Sequence, residues 1–178
     1  MQKFKVVGCL ALLVAFIAPL WAAITAYFGL LTGAVALICA GLYVANGMIL
    51  ANALKITLGF LLGDIWGWLA FMAIPQVAGM IGNLYVAIFL VLFVFAGIAV
   101  FIGCYLYKIF DLSALLSGLS IILVVLLLSA NPGLPEGHTI DAFRLVWHVA
   151  IAMVGGIWLV GVLITELHKK FMSPKKAG

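Results

Sequence analysis

Long apolar runs, broken only at widely spaced positions, leave this chain few folds to adopt. Residues 6–28 and 84–106 contain no Asp, Glu, Lys or Arg, and each exceeds the roughly 20 residues that carry a helix across a bilayer core of about 30 Å. Across 178 residues, 68% are hydrophobic and 8% charged, more apolar surface than a soluble domain of this length can bury. The runs are continuous rather than alternating in ten-residue pieces. Lipid therefore demands helices, which satisfy their own backbone groups, and not a barrel. The expectation is an all-α, polytopic membrane helix bundle forming a single transmembrane domain over 1–178.

Six spans are predicted: 6–28, 30–45, 55–74, 84–106, 112–130 and 143–165. Lys3 and Lys5 ahead of the first run imitate a signal peptide, but the apolar stretch runs far past an h-region, so a retained helix is expected. The second span has only sixteen residues. It is either a thin crossing or a half-helix, and Asn46-Gly47 stops it. Pro75 and the segment 79–83 should turn the chain after the third span. Asn131-Pro132-Gly133-Leu134-Pro135 opens the one long polar loop.

Charge placement orients the bundle. With six crossings, Lys3, Lys5, Lys55, Lys108, Lys169, Lys170, Lys175 and Lys176 fall on one side and only Arg144 on the other. That asymmetry predicts cytoplasmic termini, with a basic tail over 166–178. The net charge of +4 thus reads as a topology signal, and no nucleic-acid partner is expected. Cys9, Cys39 and Cys104 lack the spacing of a metal site or disulfide framework and read as small hydrophobes.

One stretch contradicts its surroundings: Gly59-Phe60-Leu61-Leu62-Gly63-Asp64-Ile65-Trp66-Gly67-Trp68. Gly59, Gly63 and Gly67 stack on one helix face and permit close approach of another helix, within the chain or in a second copy. Asp64 lies beside that seam, about 14 Å of helix beyond Lys55. A carboxylate at such depth costs about 2.5–3.5 kcal/mol on insertion scales, which leaves three readings: it binds or relays a cation or proton, it pairs with a polar group on a neighbouring helix, or it sits protonated.

An internal repeat organises the rest. Leu30-Leu31-Thr32-Gly33 returns as Leu115-Leu116-Ser117-Gly118, and Ala45-Asn46 as Ala130-Asn131, both 85 residues on. Gly63 and Ile65-Trp66 return as Gly155 and Ile157-Trp158 after 92. Each unit (about 6–74 and 84–165) then holds three spans with a short one in the middle, and an odd number of crossings inverts one unit relative to the other. Such inverted repeats build transporters and channels, with the path where the units meet. Asn46 and Asn131 would sit near opposite membrane faces, lining the path or capping helices. His148, one turn inward of Arg144, is a possible partner for Asp64 or a proton shuttle. Trp66 and Trp158 lie too deep for an interfacial belt, so they pack or constrict; Trp21, Trp68 and Trp147 fit the belt.

The segment Tyr43-Val44-Ala45-Asn46-Gly47, followed by Lys55 and by Gly63-Asp64-Ile65-Trp66-Gly67-Trp68-Leu69, resembles the small bacterial inner-membrane family typified by YcdZ, a family of unknown function. An aromatic-Ala-x-Gly segment after a short glycine-containing span carries the resemblance over about a third of the chain. Asn46 departs from the small residue expected there, and the Pro/Gly loop is an elaboration. The resemblance implies a bacterial inner membrane and no particular substrate.

No nucleophile elbow, zinc-protease helix, carboxylate pair or phosphate loop is present in the sequence, so neither catalysis nor a cofactor or metal is expected. His138 and His168 fall in loop and tail without ligand partners nearby. The reading favoured is a channel or secondary transporter for a small molecule or ion, embedded in a lipid bilayer and assembled as a homo-oligomer. The alternative is a non-transporting membrane subunit or scaffold that uses the glycine ladder as an assembly face.

Overall fold

The computed structural model describes residues 2–28, 32–129 and 142–172. Among these residues every regular element is a helix: α1 (Gln2–Tyr27), α2 (Val35–Ala45), α3 (Leu50–Ile81), α4 (Leu84–Tyr105), α5 (Leu112–Ser129), α6 (Ala142–Gly155), a π-helical segment (Gly156–Val162) and α7 (Leu163–Met172). Five stretches are long and apolar enough to cross a membrane: Val6–Tyr27, Leu50–Ile81, Leu84–Tyr105, Leu112–Ser129 and Phe143–Phe171. The chain is thus an all-helical membrane protein whose apolar helices contact lipid.

Several expected boundaries move. Of the two middle spans expected to be short, α5 reaches 18 residues, whereas α2 has only 11, about 16 Å of rise. Pro75 does not end the third span, because α3 continues through it to Ile81. Membrane helices tolerate proline where neighbours re-satisfy the freed carbonyl, and breaking the helix would strand several groups instead of one. The turn falls at Gly82, whose φ of +74° suits glycine. Asn83 then caps α4, its Oδ1 accepting from the backbone N–H of Tyr85 at 3.0 Å and Val86 at 3.2 Å. Lys55 lies inside α3 rather than opening it. The last span does not stop at residue 165 either, since helix persists to Met172 and includes Lys169 and Lys170. There Lys169 pairs with Glu166 at 2.9 Å on an exposed face, an interaction worth little in water. The loop from Asn131, His138, and Lys175 and Lys176 lie outside the described residues.

Asn46-Gly47 ends α2 as its composition predicts. The Gly47 N–H donates to the Val44 carbonyl and the Met48 N–H to the Tyr43 carbonyl, with Gly47 at φ +81°. This is a Schellman closure, which satisfies the last carbonyls of a helix too short to waste them.

The chain divides into two compact units, and the divisions fall inside α3 and α6. The first unit holds residues 1–53 and 152–178. Here α2 lies on the π-helical segment: a Cβ added at Gly156 would stand 2.5 Å from Ala36 Cα, and one at Gly161 would stand 3.0 Å from the Tyr43 ring. Ala18, Ala36, Ala40, Val160 and Ile164 form the buried centre, with Trp21 against it. The second unit, 54–151, holds most of α3, then α4, α5 and the start of α6. Its glycine ladder is a helix seam. Gly59 faces the Asp111 carbonyl and Ala114, Gly63 the backbone of Leu115 and Leu119, and Gly67 that of Leu119. From the opposite side, Gly118 of α5 faces the Phe60 carbonyl. Between lipid-soluble helices no hydrophobic force remains, so such backbone proximity and its dispersion contacts hold α3 to α5.

Trp66 fastens the third helix of this unit. Its indole N–H donates to the Phe95 carbonyl of α4 at 2.9 Å, and the two rings sit 5.3 Å apart. Trp66→Phe is expected to keep the packing and lose the bond, lowering stability by about 0.5–1.5 kcal/mol. Unfolding in mixed micelles, read by far-UV circular dichroism, checks this.

Candidate functional site

Burying an ionisable group in a membrane helix requires either a partner or a purpose. Asp64 is 1% exposed, and among the described residues it is the only buried Asp, Glu, Lys or Arg. Among the described residues neither of its carboxylate oxygens has a hydrogen-bond partner. Its place follows from the seam: Gly63 and Gly67 press α3 onto α5, which turns the adjacent residue toward the flank of the contact. On that flank lies a cavity of about 460 Å³ between α3 and α6. From α3, Leu61, Asp64, Ile65 and Trp68 line it; from α6 come Phe143, Val146, Trp147 and Ala150.

The α6 contribution is a single stripe at i, i+3, i+4 and i+7, the spacing of one helix face. On α3 the same geometry brings Leu61, Asp64 and Trp68 together. The rings form a continuous edge-to-face wall. Trp68 and Phe143 are 6.4 Å apart at 63°, and Phe143 and Trp147 are 6.2 Å apart at 82°. Phe143, Trp147 and Ile65 are each more than half exposed, so the cavity opens laterally at its aromatic rim, while Asp64 borders it with both carboxylate oxygens buried behind the wall. One acid in an otherwise apolar, aromatic chamber has the make-up of a small-molecule site.

The other residues singled out by sequence fall elsewhere. His148 follows Trp147 on α6, but it is not among the cavity-lining residues. Its Nδ1 is buried without a hydrogen-bond partner, and it makes no bond to Asp64. Asn46 acts in the α2 cap region: its Nδ2 donates to the Leu42 carbonyl at 3.0 Å, and its own carbonyl accepts from Asn52 Nδ2 at 3.2 Å. Trp66 is engaged with Phe95, and Trp158 lies half-buried in the π-helical segment. Asn131 lies outside the described residues. Gly59, Gly63 and Gly67 pack within the chain against α5. Sequence reasoning missed Phe143, and it placed Trp68 and Trp147 in an interfacial belt. The signal available was the i+4 spacing of Trp68 from Asp64 and the four-residue apolar stripe opening α6.

Comparison with known proteins adds a family and no activity. The family model DUF1097, described as a protein of unknown function, matches residues 11–169. No curated protein matches significantly, and no solved structure does.

Proposed function

We propose, for a chain that belongs to the DUF1097 family of unknown function, that it is a channel or secondary transporter moving a small solute past Asp64. The observation that carries this reading is a buried carboxylate, unpartnered among the described residues, bordering a cavity of about 460 Å³. Intramembrane acids are costly and mark solute or proton paths. The cavity lies between α3 and α6, the third spans of the two sequence repeats, where an inverted-repeat protein carries its path.

The make-up of each compact unit supports the repeat. The first unit joins α1 and α2 to the last part of the sixth span; the second joins α4 and α5 to most of α3. In both, the second helix of one repeat lies against glycines on the third span of the other: Gly156 and Gly161 in the first unit, Gly63 and Gly67 in the second. That reciprocal exchange is what two inverted copies with a common packing rule would produce. The lysine asymmetry supports six crossings with cytoplasmic termini, and the family resemblance of the sequence implies a bacterial inner membrane. The scaffold reading is weaker because its assembly face, the glycine ladder, is already covered by α5.

Proteoliposomes containing the full chain should take up at least one of three solute classes (small acids, amines or neutral amides) faster than empty liposomes. Asp64→Asn should reduce that uptake by on the order of tenfold. Uptake of none of the three, or uptake indifferent to the substitution, refutes the reading.

A further inference from the structure

Resting on the transport reading, we propose that the cavity between α3 and α6 is a binding site for lipophilic organic cations. The class follows from what the walls offer and what they withhold. Asp64 supplies the one carboxyl group, its oxygens buried just behind the wall and, among the described residues, without a hydrogen-bond partner. Leu61, Ile65, Val146 and Ala150 supply only hydrocarbon, and Trp68, Phe143 and Trp147 supply ring faces and edges.

An inorganic cation needs several oxygen ligands, and the other seven lining side chains supply none. An anion would meet the carboxylate with no cationic side chain to offset it. A sugar or other polyol would leave its hydroxyls unbonded against hydrocarbon, at a cost of a few kcal/mol each. A proton alone requires no chamber of about 460 Å³. A singly charged ammonium or phosphonium with an apolar body satisfies every wall at once. Its charge pairs with the acid, its body replaces empty space, and the aromatic rings attract its positive charge through their quadrupoles.

The rim indicates the route of entry. Ile65, Phe143 and Trp147 are 52%, 55% and 57% exposed on helices apolar enough to span the membrane. A ligand arriving through lipid meets the aromatic wall first and the carboxylate last, an order suited to amphipathic cations and closed to hydrated ions.

The test uses a matched pair of lipophilic ions, tetraphenylphosphonium and tetraphenylborate. Full-length protein in nanodiscs is dialysed against each, with empty nanodiscs subtracted. The expected result is saturable retention of the phosphonium at one per chain and none of the borate. In Asp64→Asn, phosphonium affinity should fall by on the order of tenfold or more, and in Trp147→Ala by a few-fold. Both variants should elute and melt as folded protein. Trp147 is more than half exposed, so its truncation tests the site without emptying the core. Equal retention of both ions overturns the proposal, as does unchanged phosphonium binding in a folded Asp64→Asn protein.

Binding and transport fail separately. Selective phosphonium binding without uptake of any solute class sustains the site and refutes transport. Uptake of acids or neutral amides without phosphonium retention sustains transport and overturns the site.

Discussion

Alanine at Gly63 is expected to destabilise this protein by about 1–3 kcal/mol or more, for the addition of one methyl group. The added Cβ would meet the Leu115 carbonyl oxygen and stand 2.8 Å from the Leu119 nitrogen. Both obstacles are backbone atoms, so no rotamer change relieves the clash and α5 must move as a body. Moving it also pulls Gly118 away from the Phe60 carbonyl, so the loss spreads along the seam. Gly118→Ala should cost a similar amount, and the double variant less than the sum, because one displacement of α5 accommodates both methyl groups. Gly97→Ala on α4 is the control. Nothing lies within 4 Å of its added Cβ, and there alanine's better helix propensity should leave stability unchanged or raise it by up to about 1 kcal/mol. Denaturant unfolding in mixed micelles reads all four variants, and a Gly63→Ala midpoint equal to that of Gly97→Ala would refute the seam.

Leucine at Asp64 should do the opposite. Replacing the acid with leucine in a membrane interior is favourable by about 3 kcal/mol on insertion scales. The space exists, since the residue borders a cavity of about 460 Å³, so little overpacking opposes the gain. A net stabilisation of about 1–3 kcal/mol is expected, together with loss of solute uptake in proteoliposomes. A protein that keeps a destabilising residue where a stabilising one fits has a use for it, as trade-offs between stability and activity elsewhere illustrate. Were Asp64→Leu to unfold the protein instead, the carboxylate would have to be holding the structure together through a partner, which its unbonded oxygens argue against. The two substitutions therefore separate roles in adjacent residues: Gly63 positions the helix, and Asp64 equips the cavity.

Some features were legible residue by residue. Asn46-Gly47 announces a helix end because the left-handed cap is a local requirement, and the structure closes α2 there with two backbone bonds. The small faces of α3 and the sixth span are visible as glycine spacing. Pro75 misled, because the rule that proline ends helices assumes water ready to solvate the broken turn, and α3 continues through it. Trp68 and Trp147, expected in an interfacial belt, also stand on facing stripes as cavity walls, a role that composition alone does not reveal.

What the amino-acid order determines alone is that the chain is helical and embedded in lipid, where its principal helices run, and that an acid lies deep in one of them. These follow locally, because in a bilayer each backbone amide must find its partner four residues away and each apolar run must match a fixed thickness. Tertiary structure alone decided which helix the glycine ladder would meet, that α2 would stay short against a π-helical segment, and that Asp64 would face aromatic rings rather than His148. Helix faces meet through shape, and glycine spacing states that a close neighbour exists without stating which one.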